Sequence, residues 1–165
     1  MSHVEMAELV TPERIILTLH AANKQQVVDK LSRVTAANIG LNAELLSQSV
    51  LMREDLTTFG VGRGIAIPHA IVGGIAEPVG AFARLKQPVD FGASDGRFAD
   101  LVFLLLAPDT RAGILLLALS CVARRLRDPE VARRLRAEFK AEAAHVILTT
   151  DSWREEDKFS FAKGG

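Results

Sequence analysis

The residues whose types and spacing point to chemistry are concentrated in one stretch, "TTFGVGRGIAIPHA", Thr57 to Ala70. It places Gly60, Gly62 and Gly64 at alternate positions ahead of Pro68 and His69. A histidine titrates near neutral pH and can serve as nucleophile, base or metal ligand. Residues without a Cβ let several main-chain N–H groups turn toward one anion, or let another segment approach closely. If Gly60 to His69 runs extended, one face carries Gly60, Gly62, Gly64, Ala66 and Pro68, and the other carries Val61, Arg63, Ile65, Ile67 and His69. Pro68 then biases Ile67 to an extended conformation and fixes its own φ, so His69 leaves the strand end in a defined direction. The residues alone leave two readings open. One is an anion site that ends on His69; the other is a glycine-rich strand that packs tightly beside a histidine of no chemical consequence.

Other chemistries find less support. Gly60, Gly62 and Gly64 spell GxGxG, which is neither the dinucleotide GxGxxG nor the phosphate loop GxxxxGK[ST], and no lysine follows. His3, His20 and His145 have no HExxH-type neighbour or cysteine pair, so we expect no metal and no cofactor. Cys121 stands in an apolar segment with Leu117 and Val122 and reads as a packed thiol; a single cysteine suits a reducing compartment. Arg124, Arg125, Arg127, Arg133, Arg134 and Arg136 form a basic cluster, but Asp128, Glu130 and Glu138 interrupt it and no aromatics are interleaved. It reads as a solvated helical face, with a protein-docking surface as the alternative. Twenty Lys+Arg balance twenty Asp+Glu, so no global field favours nucleic acid or an anionic membrane.

The elements that must position this stretch follow from periodicity. "ERIILTLH" reads as a first strand, and "NKQQVVDKLSRVTAANIG" as a helix with Val27, Val28, Leu31 and Val34 inward and Gly40 as its stop. "AELLSQSVLMRED" reads as a helix ending near Arg53, and "PVGAFARLKQPVDF" as an alternating strand with two different environments. "DLVFLLLAP" does not alternate and reads as a central strand covered on both faces. Helical periodicity resumes from Ala112 through Leu126; Asp128-Pro129-Glu130 opens another helix, and a last one runs through "KAEAAHVILTT". Pro108, Asp109 and Arg111 divide the longest apolar region into pieces too short to cross a bilayer, and the acidic N-terminus does not read as a signal peptide, so we expect a cytoplasmic protein without membrane insertion. The fold class is α/β: a single-domain sandwich with a mixed, mostly buried sheet flanked by helices. We place the domain at residues 10–150, an N-terminal extension at 1–9 and a polar C-terminal tail at 151–165, loosely held or docked by Trp153, Phe159 and Phe161.

"REDLTTFGVGRGIAIPHA" resembles the active-site segment of the fructose/mannitol-type IIA domains of the phosphoenolpyruvate-dependent phosphotransferase system, a pattern close to RExxxSTGxGxGIAIPH ending on the phosphorylated histidine. The similarity continues through "RLKQPVDF", "DLVFLLLAPD" and "VARRLRDPEVARRLR". It is nearest to the family's nitrogen-regulatory branch, as a single IIA unit without attached transporter segments. The resemblance implies that His69 accepts a phosphoryl group from an HPr-like protein, that Arg53 stabilises the phosphate, and that Thr58, Gly60, Gly62, Gly64 and Arg63 help cradle it. The phosphorylation state would then control which proteins are bound. Passing the group to a sugar-specific IIB domain is one alternative. Two departures from the family open another. Phe59 stands where a threonine is usual, and Leu115, aligned without gaps, stands where many relatives carry a second histidine. A binding-only module that has lost phosphotransfer would fit that loss. The partners under control and the oligomeric state stay open.

Overall fold

A computed structural model describes residues 3–54 and 56–150 and puts the non-alternating apolar run at the centre of the sheet. In chain order the elements are α1 (Met6–Leu9), β1 (Ile15–Leu19), α2 (Lys24–Ile39), α3 (Ala43–Glu54), β2 (Gly60–Gly62), β3 (Ile65–Ala66), β4 (His69–Val72), β5 (Val79–Val89), β6 (Ala99–Pro108), α4 (Ile114–Arg127), α5 (Pro129–Ala137) and α6 (Ala141–Thr149). Single 3-10 turns at Pro12–Arg14 and Asp109–Arg111 lead into β1 and out of β6. The tail reading on Trp153, Phe159 and Phe161 lies outside the described residues.

The strands form one mixed sheet in the order β1-β5-β6-β3-β2, with β4 also paired to β6. β6 runs antiparallel to β5 and parallel to β3 and β4. Every side chain from Leu101 to Ala107 is fully buried at 0%, which is why this strand shows no alternation: both of its faces are covered. Leu101, Phe103 and Leu105 join Leu9, Ile114, Leu126, Leu135 and Leu148 in the cluster made with α1, α4, α5 and α6. Val102, Leu104 and Leu106 join Val27, Val28, Leu31, Leu46 and Val50 in the cluster made with α2 and α3. β5 shows the expected two environments, Phe82 lying in the first cluster and Ala81, Ala83 and Leu85 in the second. Arg84 donates to the carbonyls of Leu135, at 2.8 Å, and Glu138, at the C-terminal end of α5, where helix carbonyls lack intrahelical donors. Val4, Met6 and Leu9 are buried in the first cluster as well.

Helix ends follow the local chemistry of their sequences. The Asn23 side chain accepts from the Gln26 amide at 2.9 Å at the start of α2, and Gly40 stops that helix in the left-handed region at φ 79°. Along α2, Val34 is only half-buried, and Thr35 and Ala36 take the inner positions; the Thr35 hydroxyl is satisfied by the Leu31 carbonyl at 2.8 Å. Asp128 caps α5, its Oδ1 accepting from the amides of Glu130 and Val131, with Pro129 in the first turn.

The extended run expected from Gly60 to His69 does not form. Gly62, Arg63 and Gly64 take φ values of 88°, 60° and 78°, so the chain reverses and β2 pairs antiparallel with β3 as a hairpin. Arg63 is the one non-glycine residue with positive φ among the described residues, and both of its backbone polar groups are held. Its amide donates to Asp95 Oδ2 at 2.7 Å, and its carbonyl accepts from Arg136 Nη2 at 3.2 Å. Alternation is therefore lost across the glycines, and His69 opens a strand rather than closing one. β3 and β4 lie along β6 in one continuous register, Ile65 opposite Leu101 and His69 opposite Leu105, interrupted at Ile67 and Pro68. Pro68 has no N–H for the ladder, but its carbonyl accepts from the Leu105 amide at 2.9 Å and keeps the register.

Candidate functional site

His69 sits at the interruption of that strand, with 7% of its surface exposed. Its Nδ1 lies 2.7 Å from the carbonyl oxygen of Ile67, two residues back across Pro68. A carbonyl only accepts, so Nδ1 carries the proton of the neutral ring and Nε2 keeps the lone pair. Burial pushes the imidazole below its ordinary pKa, and the positive charge of Arg53 pushes the same way, against the opposing hydrogen bond to Ile67. The site therefore holds a neutral imidazole with one nucleophilic nitrogen.

Two predicted residues act on His69 from the end of α3 and the segment after it, Phe59 by ring contact and Arg53 by its charge. Phe59, 1% exposed, places its ring 5.1 Å from the imidazole centroid at an interplanar angle of 61°, an edge-on contact. Its backbone carbonyl accepts from the Ile67 amide at 2.9 Å. Arg53, in the last turn of α3, is half-buried; its Nε is shielded from water and has no hydrogen-bond partner. A guanidinium N–H aimed at no acceptor is costly in a folded protein, and an arriving anion would satisfy it. Thr58, beside Phe59, is exposed.

The glycine hairpin is held mainly by the rest of the protein. A Cβ at Gly60 would stand 2.8 Å from the Ala93 nitrogen, and the Gly60 amide itself donates to the Phe91 carbonyl at 3.3 Å. Gly62 and Gly64 supply the left-handed turn. The Gly64 carbonyl accepts from the amides of Asp100 and Leu101, while Arg136 forms paired contacts of 2.9 Å with the Asp100 carboxylate. Arg63 is exposed, and its Nη1 reaches the Arg127 carbonyl at the end of α4 at 3.2 Å. Leu115, in the first turn of α4 and 6% exposed, lies in the same apolar cluster as Leu105, the residue opposite His69 in the sheet.

The remaining sequence candidates lie elsewhere. His3 is exposed beside Glu5, and His20 is exposed, with its backbone carbonyl accepting from Lys30. His145 differs from the expected surface residue: it is half-buried, and its Nε2 bonds the Val10 carbonyl at 3.0 Å, tying α6 to the N-terminal segment. Cys121 is only partly buried and packs against the first cluster. Arg133 and Arg134 pair with Glu130 and hold its carboxyl down to about 2, so part of the basic cluster is spent within α5. Among the described residues no group of three or more metal-ligating side chains gathers, and no helix is long and apolar enough to cross a membrane. The Ile67 carbonyl, which sets the tautomer, was not singled out from sequence. The signal was the Ile-Pro-His order, in which proline holds the preceding residue extended and supplies no N–H of its own to the ladder.

A mixed sheet that presents a neutral, nearly buried histidine near an unsatisfied arginine limits the classes to which the fold can be assigned. The chain belongs to the family described as phosphoenolpyruvate-dependent sugar phosphotransferase system, EIIA 2, whose model matches residues 8–150. Its relatives include the nitrogen regulatory protein of Bradyrhizobium diazoefficiens, 41% identical over 87% of this chain and 94% of that protein. The fructose-specific EIIABC component of Bacillus subtilis is 32% identical over 88% of this chain but 22% of that protein. Among solved structures, the nitrogen regulatory protein IIA-Ntr from Neisseria meningitidis superposes with a TM-score of 0.81 at 29% identity, covering 87% of this chain and 99% of its own. IIA mannitol from Escherichia coli shares the fold, with a TM-score of 0.68 at 24% identity over 85% of this chain and 99% of that one.

Proposed function

We propose that this chain is a regulatory phosphocarrier of the cytoplasm that takes a phosphoryl group from an HPr-like protein onto Nε2 of His69. The observation that carries the reading is the Nδ1–H bond to the Ile67 carbonyl at 2.7 Å, which leaves Nε2 as the nucleophile of a neutral ring. In the transfer, the Nε2 lone pair forms the new N–P bond as the donor's phosphohistidine N–P bond breaks and its electron pair returns to the donor imidazole. The proton stays on Nδ1, donated to the Ile67 carbonyl, and this hydrogen bond stabilises the positive ring that carries the phosphoryl group. Arg53 offers its unpartnered Nε–H to the phosphoryl oxygens, and exposed Thr58 adds a hydroxyl at the mouth. Gly60, Gly62, Gly64 and Arg63 act by fixing the hairpin that leads into Ile67. The charge change of nearly two units at this surface would then switch protein partners.

Incubation with phosphoenolpyruvate, enzyme I and an HPr-like protein should add one phosphate by intact mass, and His69→Ala should abolish it. Labelling that survives this change defeats the site assignment. Onward transfer to a fructose-type IIB domain would move the chain to the sugar-transport branch. A second reading rests on Leu115, an apolar side chain near the strand that carries His69: a binding-only module. Complete failure to label, with partner binding indifferent to His69 replacement, would favour it.

A further inference from the structure

We propose that Phe59 is the positioning residue of the His69 imidazole, holding the ring so that Nδ1 stays on the Ile67 carbonyl and Nε2 alone faces the phosphoryl donor. This rests on the phosphocarrier reading above. The contacts close a circuit through three residues. The Phe59 carbonyl accepts from the Ile67 amide at 2.9 Å; the Ile67 carbonyl accepts from His69 Nδ1 at 2.7 Å; and the Phe59 ring stands edge-on to the imidazole at 5.1 Å and 61°. One end of the circuit is backbone and the other is a ring belonging to a residue 1% exposed, so packing and hydrogen bonding both restrain the imidazole. A histidine has two soft torsions, and one hydrogen bond from one ring nitrogen leaves the ring free to tilt about that bond. An aromatic edge against it removes that freedom and excludes the water that would compete for Nδ1–H. A threonine at position 59 could not fill this place, because a short polar side chain leaves both the volume and the water.

The charged group acting on His69 is Arg53, and its charge opposes protonation of the ring; the other neighbours named here, Phe59, Ile67 and Leu105, are uncharged. The ring's titration therefore reports the local solvation that Phe59 controls, provided that Arg53 is kept. The experiment compares wild type, Phe59→Thr and Phe59→Leu, each with ring-15N histidine, following His69 by NMR through a pH titration. Phosphorylation is timed in parallel by intact mass. Leucine keeps most of the apolar volume but has no aromatic edge, so it serves as the readable variant where threonine unfolds the segment.

In wild type, the neutral His69 ring is expected to show one tautomer, with the proton on Nδ1. In both variants the two nitrogens should move toward averaged shifts. The titration midpoint should also rise toward the ordinary imidazole value, further for threonine than for leucine, as water enters. Phosphorylation should slow by about threefold to tenfold, the rate equivalent of losing one aromatic edge contact. Variants that keep a single Nδ1–H tautomer and the wild-type midpoint overturn the assignment. If wild type fails to label, the phosphocarrier reading fails, while the NMR comparison still decides whether Phe59 orients the ring.

Discussion

Replacing Arg53 by methionine should move stability and phosphotransfer in opposite directions. In the unphosphorylated protein, Arg53 Nε is buried without an acceptor. A buried donor left unmade costs about 1–3 kcal/mol, and methionine removes it while keeping most of the apolar length of the side chain. Allowing for some lost packing, the variant should gain about 1 kcal/mol, a rise in melting temperature of about 2–4 °C for a chain of this size. In the phosphorylated protein the same N–H would meet a dianionic group. Hydrogen bonds to charged groups contribute about 1.5–3 kcal/mol, so labelling should slow by about 10- to 100-fold. Scanning calorimetry on the unphosphorylated forms and intact-mass time courses measure the two effects separately. A third readout follows from charge: without the guanidinium, the His69 pKa should rise. A variant that melts below wild type and labels at the wild-type rate would refute Arg53 as an unsatisfied donor awaiting phosphate.

Three further outcomes follow from the same geometry. Gly60→Ala puts a Cβ 2.8 Å from the Ala93 nitrogen, and this overpacking against backbone should cost about 1–3 kcal/mol, read as a lowered denaturant midpoint with an unchanged slope. Folded His69 has a depressed pKa, so the unfolded chain takes up its proton first as pH falls; stability should decline as pH drops below about 6.5, and His69→Asn should flatten that decline in denaturant titrations. Leu115→His places a polar ring in an apolar cluster and should lower the melting temperature; where Leu115 occupies the position of a second histidine, labelling should also accelerate, and an unchanged labelling rate would detach Leu115 from the site.

Much of the scaffold could be read from side-chain patterns. The unbroken run Leu101 to Ala107 could only be a strand covered on both faces, and Asp128-Pro129-Glu130 could only open a helix, because those choices depend on local chemistry. The glycine hairpin could not be read in the same way. Period-two reasoning treats "GVGRG" as extended, but its shape turns on Arg63 adopting φ 60°, which is stabilised by Asp95, far along the chain, and by Arg136 on α5. The pair of glycines flanking a polar residue was the one hint of a reversal. His69 stood out by its neighbours in sequence, whereas its tautomer depends on the Ile67 carbonyl left out of the ladder beside Pro68, and the edge-on ring of Phe59 arrives from before the glycine hairpin. The burial of Arg14, which donates to the Gly80 and Leu9 carbonyls and to Asn38, carried no local signal, since its partners are set by tertiary packing alone.

The most direct test of the phosphocarrier proposal is 31P and 15N NMR on ring-15N histidine protein after incubation with phosphoenolpyruvate, enzyme I and the HPr-like donor. One phosphorus nucleus bonded to Nε2 of His69, with the proton retained on Nδ1, is the expected result. Phosphorus on Nδ1, on another residue, or on none at all would contradict it.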